Sequence, residues 1–260
     1  MNSCFPIASV VIKELYRRKD FYVLFILTVL ITLLFGSVNF FNDDRIARYL
    51  KDLCLLLIWI ASLVIAVTTT ARQIPAERES RTIFPLLAKP VGRGELIAGK
   101  FLGCWAACGL SLIVFYFFFG VISASREHTL HWAMYFQAMW LHWICLGIVV
   151  AMVLLGSIVF TAPSSNATIC LIVIIGIMFA GGHLNGIAIQ MRGARGTFVY
   201  AIYYLIPHLE WYNDVRDLVV HDWPSIDWLI WAGATVYGLF YSAFLLCITW
   251  LLFRRKSLTL

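Results

Sequence analysis

Apolar residues along this chain run in long blocks instead of alternating with polar ones. Six blocks stand out: Phe21–Phe41, Leu53–Thr70, Phe101–Ile122, Phe136–Ala162, Ala167–Ile189 and Trp228–Phe253. A helix needs about 20 mainly apolar residues to cross a bilayer core. The pattern therefore predicts six transmembrane helices in an all-α integral membrane protein. The fifth block carries Gly176, Gly181, Gly182, His183, Asn185 and Gly186, so its outer half is expected to be irregular. Irregular backbone at membrane depth must pack against protein or line a cavity. Ahead of the first block, Cys4–Lys19 reads as a short amphipathic interfacial helix. It has Ala8, Val11, Ile12 and Leu15 on one face and Lys13 and Arg17 on another. Of the connections, Asn42–Asp52, Ser123–Tyr135 and Pro163–Asn166 are short. Residues 71–100 and 190–227 are long enough to carry function, and neither is long enough to fold alone.

Composition narrows the class. Of 260 residues, 62% are hydrophobic and 13% charged, against about 25% charged in a soluble domain. A soluble enzyme, a disordered chain and a disulfide scaffold are excluded on that ground. The 10 Trp suit a chain with two water–lipid boundaries to line. Thirteen of the 20 Lys and Arg, including Lys13, Arg72, Arg78, Arg93, Lys100 and Arg254, fall on the side of both termini and the 71–100 loop. The excess of cytoplasmic Lys and Arg in membrane proteins then places that side in the cytoplasm. The net charge of +6 is a topology signal. No basic soluble domain is present to bind nucleic acid. The first block is a full span without a small-residue cleavage site, so no cleavable signal peptide is expected.

The 71–100 loop is the most informative stretch. Glu77, Arg78, Glu79 and Arg81 form an alternating charge cluster, and Ile83, Phe84, Leu86 and Leu87 follow as an apolar patch. Pro90 stops a helix, Gly92 and Gly94 permit a turn, and Glu95 restarts a helix leading into the third span. Apolar residues rimmed by charge mark a docking site for a soluble partner, or a helix lying on lipid. The run Gly94-Glu-Leu-Ile-Ala-Gly99-Lys100 has phosphate-loop spacing. Phe101 stands where Ser or Thr should hold magnesium, and no strand precedes it, so no nucleotide site is expected. Gly99 and Gly103, four apart, are expected to serve close helix packing.

Glu77-Arg-Glu-Ser-Arg-Thr82, Leu86-Leu87, Pro90-Val-Gly-Arg93 and Gly99-Lys100 together resemble the signature of ABC-2 type transporter permeases. The architecture matches along the whole chain, and the motif over 77–100. The resemblance implies a coupling helix that docks on a separate ABC ATPase subunit. Glu77, Arg78, Glu79, Ser80, Arg81 and Thr82 would belong to the coupling region, and Pro90 and Arg93 to the turn after it. Arg81 replaces a common Gly, and Pro85 falls in a stretch usually free of proline. The implied protein is the permease subunit of an ATP-driven exporter. It works as a homodimer or heterodimer of permeases in the bacterial inner membrane, with ATP-Mg bound only by the ATPase. No cofactor is expected on this chain.

The outer segment interleaves Tyr200, Tyr203, Tyr204, Trp211, Tyr212 and Trp223 with Glu210, Asp214, Arg216, Asp217, His221 and Asp222. It reads as short interfacial helices anchored by aromatics, with contact to a periplasmic accessory protein as the functional alternative. His183 and Asn185 are candidates for lining a pathway, against plain helix–helix hydrogen bonding. His142 is expected as a packed neutral residue near the outer interface. His128, His131, His208 and His221 lack the tight pairing of a zinc site. The seven cysteines are an odd number and six lie in the spans, where they act as small apolar residues. Asn166-Ala-Thr168 matches a glycosylation sequon on the cytoplasmic side and is read as chance. Two other classes remain: an assembly protein that recruits a cytoplasmic partner without transport, and an intramembrane enzyme. The second would need paired acids or a nucleophile dyad at membrane depth, which the spans lack.

Overall fold

The structure is a computed structural model. It describes residues 4–16, 22, 26, 29–30, 44–79, 92–127, 132–191, 194–213, 215–221 and 223–255. Its elements are α1 (Cys4–Tyr16), α2 (Asp44–Ala71), α3 (Pro75–Glu79), α4 (Arg93–Glu127), α5 (Trp132–Val159), α6 (Pro163–Gln190), α7 (Ala194–Leu205), α8 (Glu210–Asn213), α9 (Val215–Val220) and α10 (Trp228–Arg255). There is no strand among the described residues. Five of these helices, α2, α4, α5, α6 and α10, are long and apolar enough to cross a membrane. The predicted span 21–41 lies outside the described residues, apart from helical positions at Tyr22, Ile26, Val29 and Leu30.

Helix α5 is the axis of the bundle. It packs against α2, α4, α6 and α10, and against the short α8 and α9. In its most apolar stretch 78% of the residues are buried inside the chain, against 11% for α6 and 28% for α10. A helix that is apolar all round belongs at the centre. The apolar flanks of α6 and α10 are left facing outward, where lipid or another chain must cover them.

Several expected boundaries are corrected. Residues 44–52, expected as a loop, form the first turns of α2, and α4 begins at Arg93, well before Phe101. Charge ends the apolar block but not the helix, because a helix satisfies its own backbone in water as well as in lipid. The fifth block is not irregular: α6 runs unbroken through Gly176, Gly181, Gly182 and Gly186. A helical glycine costs about 1 kcal/mol relative to alanine, less than backbone groups left unpaired in hydrocarbon. The expected link Pro163–Asn166 is also helix. Pro163 sits in the first turn of α6, where its missing N–H has no intrahelical partner to lose. Asn166 is fully buried and donates to the carbonyls of Ala71 (3.4 Å) and Val153 (3.2 Å). Asn166 therefore ties α2, α5 and α6 together, and burial leaves no room for a glycan.

Candidate functional site

At the end of the bundle where α2 stops, the chain turns at Arg72–Ile74 and enters α3 through Pro75. The turn is closed by Gln73 N donating to Thr70 O (3.1 Å) and Ala76 N to Arg72 O (3.0 Å). Glu77 lies in the first turn of α3. Its Oε1 accepts from Lys100 Nζ at 2.7 Å, and Lys100 also donates to Gln73 Oε1 at 3.1 Å. The Lys100 side chain is 3% exposed and that of Glu77 24%. The pair thus joins the short helix after α2 to the second turn of α4 in a largely water-excluded setting.

The start of α4 is a hub. Gly92 N–H donates to Glu95 Oε2 at 3.4 Å, one half of a capping box. Arg93 Nη1 donates to the carbonyls of Phe253 (2.9 Å) and Arg254 (3.0 Å), and its guanidinium lies 5.5 Å over the Phe253 ring. Arg93 therefore caps the C-terminus of α10, where the last carbonyls lack intrahelical donors and the helix dipole favours a cation. Gly94 admits the Trp250 indole at 3.3 Å. On another face of α4, Gly99 and Gly103 receive α1. A Cβ at Gly99 would stand 2.8 Å from Ile7 Cβ, and one at Gly103 2.7 Å from Val11 Cβ. Ala8 and Val11 are buried there, while Phe5 and Val10 remain exposed. The amphipathic α1 is thus clamped along α4. Within about three turns α4 grips α1, α3 and α10.

Arg93→Ala is expected to loosen the last turn of α10. Amide hydrogen exchange over residues 250–255 should rise several-fold, with little change at the centre of α5. Arg93→Lys should restore only part of the protection, because an ammonium lacks the guanidinium's planar fork of donors.

The sequence-derived residues divide as follows. Glu77, Arg93, Gly99 and Gly103 converge on the α4 hub. Arg78 and Glu79 lie in α3, and Glu79 is exposed. Ser80, Arg81, Thr82 and Pro90 lie outside the described residues. His183 is exposed on α6, and Asn185 lies in the same helix. His142 is packed, as expected, and is buried about three turns into α5. It stacks on Trp59 at 4.8 Å and hydrogen-bonds Ser62 Oγ (2.9 Å) and Tyr116 OH (3.3 Å), joining α5 to α2 and α4.

A clasp between α4 and α5 escaped the sequence reading. Trp105 Nε1 donates to Trp143 O (2.9 Å) and Trp143 Nε1 to Trp105 O (3.0 Å), with the rings stacked at 4.5 Å. Each indole lies over a glycine one turn beyond the other Trp. A Cβ at Gly109 would meet Trp143 Nε1 at 2.7 Å, and one at Gly147 would meet Trp105 Nε1 at 3.0 Å. The available signal was a repeated Trp-x-x-x-Gly.

At the opposite end of the bundle the described part of the 190–227 segment folds back onto the long helices. Gln137 and Ile226 exchange two hydrogen bonds of 2.9 and 3.0 Å. Glu210 packs on Gly181 of α6 and accepts from or pairs with His208 Nδ1 at 3.1 Å. Tyr212, expected as an interfacial anchor, is buried and donates to Ala234 O at 2.7 Å beside Gly238. Its burial pushes the phenol above its usual range, so it remains a donor. Tyr204, Trp211 and Trp223 are exposed.

Fold and site define a multi-pass, all-helical membrane protein with a packed hub at one end of its bundle. A family model described as ABC-2 family transporter protein matches residues 10–258. The chain belongs to that family, as a transporter permease. Family membership implies pairing with an ABC ATPase subunit. A search of curated proteins finds no match.

Proposed function

We propose that this chain is the membrane-spanning subunit of an ATP-driven exporter, moved by a separate ATPase that docks on the segment after α2. Two copies pair, and the outward apolar flanks of α6 and α10 supply surface for a second copy as well as for lipid. Both termini and the 71–100 loop face the cytoplasm of the bacterial inner membrane. ATP-Mg binds the partner, and this chain performs no covalent step. The observation that carries the reading is the α4 hub. A push on the loop reaches α4 through Glu77–Lys100, α1 through Gly99 and Gly103, and α10 through Arg93. Small shifts of a packed hub move whole helices because close-packed interiors deform little.

The test is purification of the full chain from membranes with its ATPase and measurement of ATP turnover in lipid. Turnover that falls on substituting Glu77 or Thr82 supports coupling. Binding of the ATPase with turnover indifferent to both substitutions favours the assembly-protein reading. Cleavage of a model substrate in lipid without nucleotide favours the intramembrane enzyme. Cysteine labelling of residues 80–90 from outside intact cells would overturn the orientation.

A further inference from the structure

The end of the bundle opposite the α4 hub holds a cleft of about 370 Å³ between the first turns of α2 and the end of α9. It is lined by Arg48, Tyr49, Asp52, Asp217, Val220 and His221. That volume lies in the range of small-molecule sites, roughly 300–1,000 Å³. Arg216 stands beside it, with Nε 3.3 Å from Asp52 Oδ1 and Nη2 3.6 Å from Asp217 Oδ1. The Asp52 and Asp217 side chains nevertheless keep 42% and 44% of their surface exposed, so the pairs with Arg216 do not close either carboxylate off from the cleft.

The charges decide what the cleft takes. Asp52 and Asp217 are balanced by Arg216 and Arg48, so the described groups sum to zero while their signs stay separated. A free anion meets two carboxylates, and a free cation meets Arg48. No set of three metal-ligating side chains occurs among the described residues. A molecule carrying both a primary ammonium and an anionic group satisfies both ends. The ammonium N–H groups go to the carboxylates, and the anion goes to the Arg48 guanidinium, whose fork suits phosphate. A quaternary ammonium offers no N–H and loses half of the recognition.

The surroundings point to a lipid as the carrier of that group. Tyr49, Leu53, Leu56 and Ile60 recur at four-, three- and four-residue steps, which is one helix face, and all four are exposed. The stripe starts at the cleft and runs down α2 toward the bilayer interior. We infer that the cleft binds the phosphoethanolamine headgroup of a membrane lipid whose acyl chain lies along the Tyr49–Ile60 face. This site is separate from the coupling end and does not depend on the transport reading.

The test is native mass spectrometry of the full chain in detergent, offered equal amounts of phosphatidylethanolamine, phosphatidylcholine and phosphatidylglycerol with matched chains. The expected result is one retained phosphatidylethanolamine, favoured about tenfold or more, as the loss of one charge-assisted hydrogen bond predicts. Arg48→Ala and Asp217→Asn should each reduce that preference about tenfold with an unchanged melting temperature, since both side chains are substantially exposed. Free O-phosphoethanolamine should compete only weakly, because it lacks the chain. Equal retention of the three lipids, or a preference indifferent to both variants, overturns the site. Full competition by the free headgroup, with no gain from acyl chains, overturns the lipid assignment in favour of a soluble zwitterion.

Discussion

Lys100→Met will destabilise the chain by about 3 kcal/mol, because it strands Glu77 in a site built for a pair. Lys100 is 3% exposed and holds both Glu77 and Gln73. Breaking a buried pair by removing one partner costs about 3–5 kcal/mol. The low end applies here because Glu77 keeps 24% of its side chain in contact with solvent. The double variant Glu77→Gln with Lys100→Met should recover stability to within about 1 kcal/mol, since replacing both charges of a buried pair is often near neutral. Thermal melting of the purified chain in nanodiscs reads this difference. ATP turnover of the complex reads another. If the pair transmits motion, the double variant regains stability while turnover stays low. Recovery of both would reduce the pair to a fold-stabilising contact.

Gly109→Leu is the second large effect expected. The new side chain enters where Trp143 Nε1 stands 2.7 Å from the would-be Cβ. The indole must leave, which breaks its bond to Trp105 O and the 4.5 Å ring stack. Overpacking costs about 1–3 kcal/mol, and a buried unsatisfied polar group adds about 1–3 kcal/mol. A loss of about 2–6 kcal/mol follows. Gly120→Leu is the control in the same helix, because nothing lies within 4 Å of its Cβ position. It should be as stable as the parent or up to about 1 kcal/mol more stable, because leucine supplies the helix propensity that glycine lacks. Equal effects at Gly109 and Gly120 would show that the clasp carries no stability. Gly147→Leu should resemble Gly109→Leu, because Trp105 occupies the matching place over it.

Hydropathy found five helices that the structure describes as long enough to span, and missed their ends. Asp44–Asp52 and Arg93–Lys100 are helix outside any apolar block. The bilayer sets the length of the apolar run, whereas helix length is set by where caps and turns fall. The glycines of α6 misled for a related reason. Glycine lowers helix propensity in water, but its other use, a close approach, depends on what packs there. At Gly181 that neighbour is Glu210, 29 positions away in sequence. Gly99 and Gly103 were legible as packing residues from their spacing, although their partner is α1. Glu77 was legible within its charge cluster, yet its pairing with Lys100 was not. The two lie 23 residues apart, and local patterning carries no information across a turn of that length. His142 was placed by its tryptophan neighbours in sequence, while its surroundings come from α2 and α4.

From the order of residues alone follow the membrane class, the apolar blocks and the charged loop with its family signature. Each depends on the solvent a segment can tolerate or on neighbours within a few turns. Folding settled the rest: that Arg93 caps α10, that two tryptophans lock α4 to α5, and that oppositely charged groups from α2 and α9 line one cleft. Those contacts join residues 38 to 161 positions apart in the first two cases. Distances across helices are set by close packing of the bundle, and no local rule of sequence encodes them.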